Sequence, residues 1–265
     1  MDEIAHYNIA RWKALAAANA LFTRPYLSLD MASARARLDP DGRLGEVADK
    51  AVLCLAGGGG QQSAAFALLG ARVTVVDLSE EQLQRDHQAA APYQVTIQTI
   101  QGDMRDLSCL AANGFDIVWQ PYSLNFVPDA RKVFGEVARV LRREGLYHFN
   151  CANPFVMGLT ERDWNGSGYP LKHPYVQGAE LSYPDQPWVH GSDEPVSPPR
   201  EFRHTLSSVI NGLLAQGFVL RHLSDDTDFT PDPTAEPGTW DHFTAFAPPW
   251  LTIWAAYRPG GAENG

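Results

Sequence analysis

Three groups of residues suited to holding a ligand follow short apolar runs in this chain. The run at 51–56 leads into consecutive glycines at 57–60, whose exposed N–H groups and missing side chains let a ligand lie against the main chain. About 20 residues later, Asp77 ends the next apolar run, where it could accept hydrogen bonds from both hydroxyls of a ribose. This spacing indicates a nucleoside cofactor, with a ligand-free turn and a helix-capping Asp as the alternatives.

A second acid follows the third apolar run. Asp103 is placed to meet an adenine amino group, with the apolar Met104 beside it. NAD-binding sheets do not require this acid, although a Gly-x-Gly-x-x-Ser pattern starting at Gly58, together with Asp77, also approximates the dinucleotide fingerprint. An NAD(P)-dependent oxidoreductase therefore stays open as an alternative, against which stands the absence of a Tyr-x-x-x-Lys pair.

The elements that must position these residues alternate between short apolar runs and longer amphipathic ones, which is typical of a parallel α/β sheet. We predict five strands, at 51–56, 72–76, 95–100, 115–119 and 146–151. The intervening helices are predicted at 61–69, 80–90 and 128–141, with Ser79 able to cap the second. A helix at 201–215 and strands at 218–223 and 251–257 complete the pattern.

Two further segments flank this core. Apolar residues spaced three or four apart predict an amphipathic helix over 4–22, ended by Pro25. Residues 153–200 are rich in Pro, Gly, Trp and Tyr, and we interpret them as an insertion that forms a substrate lid, with a possible hairpin at 169–183.

The combined motifs resemble the class I S-adenosylmethionine-dependent methyltransferase superfamily, and among its members the small-molecule enzymes of the ubiquinone pathway. Beyond the glycine loop, Asp77 and Asp103, the resemblance includes Phe115-Asp116-Ile117-Val118, Pro128-Asp129 and Arg143-Glu144-Gly145-Leu146, and it covers about residues 50–150. It implies an α/β, Rossmann-like three-layer fold with a seven-stranded, mostly parallel sheet and an antiparallel last strand. One domain would then comprise an N-terminal helical cover (1–48), a cofactor-binding core (49–152), the insertion after strand five (153–200) and the rest of the core (201–258).

The resemblance also implies a cofactor and an activity. S-adenosylmethionine would donate a methyl group to a small, apolar or aromatic acceptor, on an O, N or C atom that the sequence does not distinguish. The implied cofactor-binding residues are Ala56, Gly57, Gly58, Gly60, Asp77, Leu78, Asp103, Met104 and Gln120.

The chain departs from its relatives just before the glycine loop. Many of them have an acid where this chain has Cys54 and a glycine where it has Ala56. We interpret Cys54 as a packing residue. The departure keeps open a non-catalytic protein that binds S-adenosylmethionine without transferring its methyl group.

The acceptor site is expected among aromatic and amide side chains near the strand ends. The candidates are Tyr7, Trp12, Tyr122, Asn125, Asn150 and Asn153, with further aromatic side chains from the insertion at Trp164, Tyr169, Tyr175, Tyr183 and Trp188. We assign no catalytic residue, since methyl transfer depends mainly on proximity and alignment. Weak candidates for a base are His148, Asp163, His173 and His190.

The charge composition of the chain limits the classes of partner that we expect. Among 265 residues, 31 Asp and Glu outnumber 21 Lys and Arg, for a net charge of −10 without a basic cluster, so neither nucleic acid nor a membrane is an expected partner. Three cysteines without CxxC spacing predict neither disulfides nor a metal site. The acidic start lacks an apolar signal core, so we expect a cytoplasmic protein. The oligomeric state is not predicted.

Overall fold

The computed structural model describes residues 1–183, 196–225 and 230–260. Its strands are β1 Ala51–Leu55, β2 Arg72–Asp77, β3 Ile97–Gln101, β4 Phe115–Gln120, β5 Leu141–Ala152, β6 Glu180–Leu181, β7 Glu201–Phe202, β8 Phe218–Ser224 and β9 Trp250–Tyr257. Its α-helices are α1 Glu3–Ala17, α2 Met31–Leu38, α3 Gln62–Leu68, α4 Glu80–Ala90, α5 Ala130–Val140, α6 Leu206–Ala215 and α7 Trp240–Phe246.

One seven-stranded sheet has the order β3-β2-β1-β4-β5-β9-β8. The first five strands pair in parallel, and β9 runs antiparallel to both β5 and β8. The predicted sheet with a reversed last strand is therefore confirmed. Because the chain leaves β1 toward β2 on one side and later returns to β4 on the other, the carboxyl ends of β1 and β4 flank the crevice where such sheets bind ligands.

The central strands of the sheet are buried on both faces, as their nearly continuous apolar sequences require. In β1, Leu53 and Leu55 pack on the face covered by α5 and α6, while Val52 and Cys54 pack on the opposite face with Phe66 of α3. The Cys54 side chain is fully buried, in keeping with its interpretation as a packing residue, and burial raises the pKa of its thiol. Ser79 caps α4 as predicted, accepting a hydrogen bond from Gln82 N.

The N-terminal helix differs from its prediction. It ends at Ala17 rather than near Pro25, because the chain turns through Asn19 in a left-handed conformation (φ 51°). Its most buried positions also include the polar Asn8 and Arg11. A helix that turns polar side chains inward packs against something other than a purely apolar core.

The possible hairpin within the insertion does not form. Residues 169–183 do not form a hairpin; instead β6 pairs with β7, at the start of the segment where a helix over 201–215 was expected. Pro170 and Pro174 lack the N–H groups that a hairpin ladder would need.

Strand β5 starts earlier than predicted, at Leu141, which pairs with Phe115 across an irregularity in the ladder. Among the described residues, no helix is long and apolar enough to cross a membrane.

Candidate functional site

A cavity opens at the carboxyl ends of β1, β2 and β4, beneath α1. Several residues that the sequence predicts to bind a ligand line it, together with residues that were not predicted. The lining residues are Asn8, Trp12, Phe22, Ala56, Gly57, Gly58, Gln61, Gln62, Asp77, Leu78, Gln82, Gly102, Met104, Pro121, Tyr122, Ser123, Phe126 and Trp250.

Asp77 organises the start of the glycine loop. Its Oδ2 accepts a hydrogen bond from Gly58 N at 3.0 Å, and its Oδ1 accepts one from Ser79 N at 2.9 Å. Burial raises the pKa of this carboxyl, while the two backbone donors oppose that shift. The loop and the acid, about 20 residues apart in sequence, therefore form one polar wall of the cavity.

Neighbouring protein atoms leave no room for a side chain at Gly57 or Gly58. A Cβ on Gly58 would lie 2.8 Å from Gln82 Cβ and 3.0 Å from Asp77 Oδ2. A Cβ on Gly57 would lie 3.1 Å from Pro121 Cδ. These glycines leave a groove into which a ligand can approach the main chain, so this part of the cavity fits a nucleoside beside Asp77.

A second buried acid, which was not predicted from the sequence, supports the loop on the side away from the cavity. Asp86 of α4 is fully buried and accepts hydrogen bonds from Gly60 N (3.1 Å), Gly59 N (3.3 Å) and the Ser63 hydroxyl. Gly60 itself lies outside the cavity lining, since it packs against α4. No local motif in the sequence identifies Asp86, because only tertiary packing decides which face of α4 meets the glycine loop.

Asp103 and Met104, which follow β3 and Gly102, point in different directions. Met104 lines the cavity, but the Asp103 carboxylate pairs with Arg105, with Oδ2 at 2.6 Å from its Nη2. Arg105 also pairs with Asp2 at the cap of α1. Asp103 therefore lies outside the lining and connects the loop to the N-terminal helix.

Gln120 also lies behind the cavity wall rather than in it. It is fully buried at the end of β4, where its amide donates to Ser123 Oγ at 3.0 Å and accepts from the Tyr147 hydroxyl. Met104 Sδ lies 3.3 Å from the same amide nitrogen. Gln120 thus positions two residues that do line the cavity, Met104 and Ser123.

Aromatic side chains form the other wall. Trp12 of α1 meets Phe126 edge to face at 5.8 Å between ring centroids, and Tyr122 meets the same ring at 5.9 Å. Trp250, at the start of β9, joins them from the far end of the sequence. Asn8 anchors α1 here by donating to the Phe126 carbonyl at 3.0 Å. This wall explains why α1 turns polar and aromatic residues inward.

Behind Tyr122 lies a buried polar network. Its hydroxyl donates to Glu201 Oε2 at 2.7 Å, and the Tyr183 hydroxyl bonds to the same carboxylate. Glu201 is 2% exposed, and burial raises its pKa while the charge of Arg11 opposes the shift. Burial likewise raises the pKa of Tyr122. The network joins the loop after β4 to the insertion.

Four predicted acceptor-site residues lie outside the cavity lining. The Tyr7 hydroxyl donates to the Pro198 carbonyl. Asn125 joins the segments around it, donating to the Phe202 carbonyl and accepting from Ala152 N. Asn150 donates to Thr252 Oγ1 between β5 and β9, and Asn153 to the Pro248 carbonyl. Of the six predicted residues, the structure brings Trp12 and Tyr122 to the cavity.

The weak candidates for a base also lie elsewhere. His148 stacks on Trp119 at 3.6 Å inside the sheet, and burial lowers its pKa to about 3. Asp163 pairs with Lys172, and His173 is exposed. His190 lies outside the described residues.

The aromatic residues of the insertion have other neighbours than the cavity. Trp164 and Tyr169 pack on His242 of α7, and Tyr175 stacks on Phe155. Tyr183 belongs to the Glu201 network. Trp188 lies outside the described residues. The aromatic wall of the cavity is built from α1, the loop after β4 and β9 instead.

Comparisons with known proteins show to which family the chain belongs. Residues 53–149 match the model of the methyltransferase domain family. The chain is 36% identical over 178 residues to the uncharacterized methyltransferase YbaJ of Bacillus subtilis, an alignment that covers 66% of this chain and 68% of that protein.

Solved structures share the fold at low sequence identity. An S-adenosylmethionine-dependent methyltransferase from Mesorhizobium loti superposes with a TM-score of 0.62 at 23% identity, covering 85% of this chain and 99% of that one. Another, from Clostridium acetobutylicum, superposes with a TM-score of 0.58 at 13% identity, covering 87% and 93%.

Proposed function

Because this chain belongs to the class I S-adenosylmethionine-dependent methyltransferase superfamily, we propose that its cavity holds S-adenosylmethionine against the glycine loop and presents a small apolar or aromatic acceptor to it. The observation that carries the proposal is the division of the cavity wall. Glycine backbone and Asp77 form one side, and the rings of Trp12, Tyr122 and Phe126 form the other. The first suits a nucleoside and the second suits an apolar ring.

The cofactor-binding residues that we propose are those that line the polar side. Asp77 would hold the ribose, Ala56, Gly57 and Gly58 would accommodate the methionine part along the main chain, and Leu78 and Met104 would flank the adenine. Gln61 and Gln62, which were not predicted as site residues, extend the loop into the cavity and add side-chain amides. No acid lies on β1, so these amides are candidates to bind the amino-acid end.

S-adenosylmethionine supplies a methyl group on a positively charged sulfur that departs as a neutral thioether. The residues of this chain contribute binding, orientation and exclusion of water, which is where most of the rate enhancement of such a displacement originates. The rings of Trp12, Tyr122 and Phe126 would hold the acceptor in line and favour an apolar molecule. We also propose that the described part of the insertion, residues 153–183 and 196–200, covers the acceptor and that the protein acts in the cytoplasm.

Binding and activity can be tested separately. Calorimetric titration should give a measurable affinity for S-adenosylhomocysteine and none for NAD; the reverse result would contradict the assignment. Incubation with methyl-labelled S-adenosylmethionine and extract of the source cell should then yield a small molecule heavier by one methyl group. Binding without any methylated product would favour the non-catalytic alternative.

A matched pair of variants tests the two walls. Phe126→Ala should leave the affinity for S-adenosylhomocysteine within about threefold while reducing transfer to the acceptor, because it removes only apolar contact area. Phe155→Ala is the control, since that ring is exposed and stacks on Tyr175 outside the cavity. Equal effects of both variants would argue against the aromatic wall as the acceptor site.

A further inference from the structure

A fully buried carboxylate that does not line the cavity faces the glycine loop. Asp86 of α4 has three donors on its two oxygens: Gly60 N and the Ser63 hydroxyl on Oδ1, and Gly59 N on Oδ2. The Gly59 N–H is shared with the Gln82 carbonyl at 3.1 Å. All three groups are donors, so they are best satisfied by an ionised carboxylate, which only accepts.

The loop depends on this support because its own backbone is unusual. Gly59 and Gly60 have φ values of 119° and 71°, which other residues rarely adopt. Gly60 lies so close to α4 that a Cβ there would be 2.4 Å from the Arg85 carbonyl oxygen. A run of glycines has no side chains to hold this shape, and Asp86 contacts the half of the loop next to the cavity-lining Gly57 and Gly58.

The ionised form is costly because the carboxylate is buried. Burial raises the pKa of Asp86 to about 7, and the negative charge of Asp77 at the end of β2 adds to the shift, whereas the Ser63 hydroxyl and the two N–H groups oppose it. The buried Cys54 thiol lies near on β1. Arg85, the preceding residue, does not offset the charge, since its guanidinium donates to the Ala16 and Thr23 carbonyls instead.

We propose that Asp86 is a positioning residue for the cofactor: its ionised carboxylate holds the glycine loop in the shape that binds the ligand, so that binding releases the Asp86 proton to solvent. This inference rests on the proposed function for the identity of the ligand. It gives α4 a role in holding the glycine loop, although Asp86 itself does not line the cavity. Affinity should rise with pH up to about neutrality and then level off.

The test is calorimetric titration with S-adenosylhomocysteine between pH 5.5 and 8, in buffers of different ionisation enthalpy. The wild type should release a measurable fraction of a proton near neutrality. Asp86→Asn should bind about tenfold more weakly above neutral pH, because it loses charge-assisted acceptance, and should release no proton. Asp86→Glu should restore part of the pH dependence. A merely structural role would lower stability without changing proton release.

Ser63→Ala keeps the test decisive if Asp86→Asn fails to fold. Removing a hydroxyl that stabilises the carboxylate should move the pH at which affinity falls upward. Proton release that persists in Asp86→Asn would assign it to Asp77 and overturn the inference, as would pH-independent binding by the wild type. Absence of any binding to S-adenosylhomocysteine would instead contradict the proposed function.

Discussion

The Tyr122 hydroxyl and the Glu201 carboxylate meet at 2.7 Å, although 79 positions separate them in the chain. Tyr122 lines the cavity, while Glu201 is the first residue of a two-residue strand in the structure behind it. One hydrogen bond therefore joins the wall of the candidate acceptor site to the segment that packs over it. Because Glu201 is buried, the loss of a donor there should be costly.

Tyr122→Phe should lower the free energy of unfolding by about 1.5–3 kcal/mol where the buried carboxylate is ionised and loses a donor. The deficit should shrink as pH falls, because burial raises the pKa of Glu201 and so favours its protonated form. Urea denaturation over a range of pH measures both effects. Tyr7→Phe is the control, because its hydroxyl bonds to the Pro198 carbonyl at an exposed site. A larger loss in the control would contradict the argument.

Asp77 and Asp103, which the sequence treats as equivalent strand-end acids, should behave differently. Asp77→Ala should weaken binding of S-adenosylhomocysteine by about 1.5–3 kcal/mol through lost charge-assisted hydrogen bonds. Asp103→Ala should have a smaller effect, because that carboxylate is paired with Arg105 outside the cavity lining. Calorimetric titration of both variants measures the two losses of affinity. A greater loss of affinity in Asp103→Ala would support the predicted contact of Asp103 with the adenine.

Gly58→Ala should reduce both stability and affinity. The added methyl would lie 2.8 Å from Gln82 Cβ and 3.0 Å from Asp77 Oδ2, at a cost of about 1–3 kcal/mol typical of overpacking. Gly168→Ala is the matched control, since no atom lies within 4 Å of its Cβ position and its φ is ordinary. Thermal unfolding with and without S-adenosylhomocysteine measures both effects. An affinity equal to that of the wild type would exclude close approach of the ligand at Gly58.

Asp86 should make the ligand-free protein less stable as pH rises. Its pKa is about 7 in the folded protein, above the usual 3.8, so between these values the folded state binds more protons than the unfolded state. The Asp86 contribution is therefore fully present below pH 4 and is lost as pH rises through 7, by up to about 4 kcal/mol at 1.36 kcal/mol per pKa unit.

The comparison of Asp86→Asn with the wild type isolates the pH dependence that Asp86 gives to the free energy of unfolding. His148 acts in the opposite sense, since its lowered pKa removes stability as pH falls, but it contributes equally to both proteins. Urea denaturation from pH 5 to pH 8 should show the variant gaining stability relative to the wild type as pH rises. Asp41→Asn, at an exposed site, should show no such trend. A constant difference across pH would show that Asp86 keeps one protonation state.

The sequence by itself determined the succession of strands and helices along the α/β core and the residues next to each strand end, whereas the arrangement of the sheet was implied by the resemblance. The glycine loop, Asp77 and the Ser79 cap could be recognised because they depend on local backbone geometry and on spacing along the chain. The relation to methyltransferases followed from the same short-range motifs. These motifs can be recognised without the tertiary structure because each involves residues within one strand, turn and helix.

Tertiary structure alone decided which side chains face the cavity. Asp103 turns to Arg105, while Asp86 turns from α4 to the glycine loop. Trp250 arrives from the last strand. The partner that each side chain finds depends on how its helix is rotated and on which polar groups still lack a hydrogen-bond partner once the core has packed. Neither can be predicted from the spacing of residues along the chain. For the same reason the proposed acceptor wall could be seen only after distant segments were brought together.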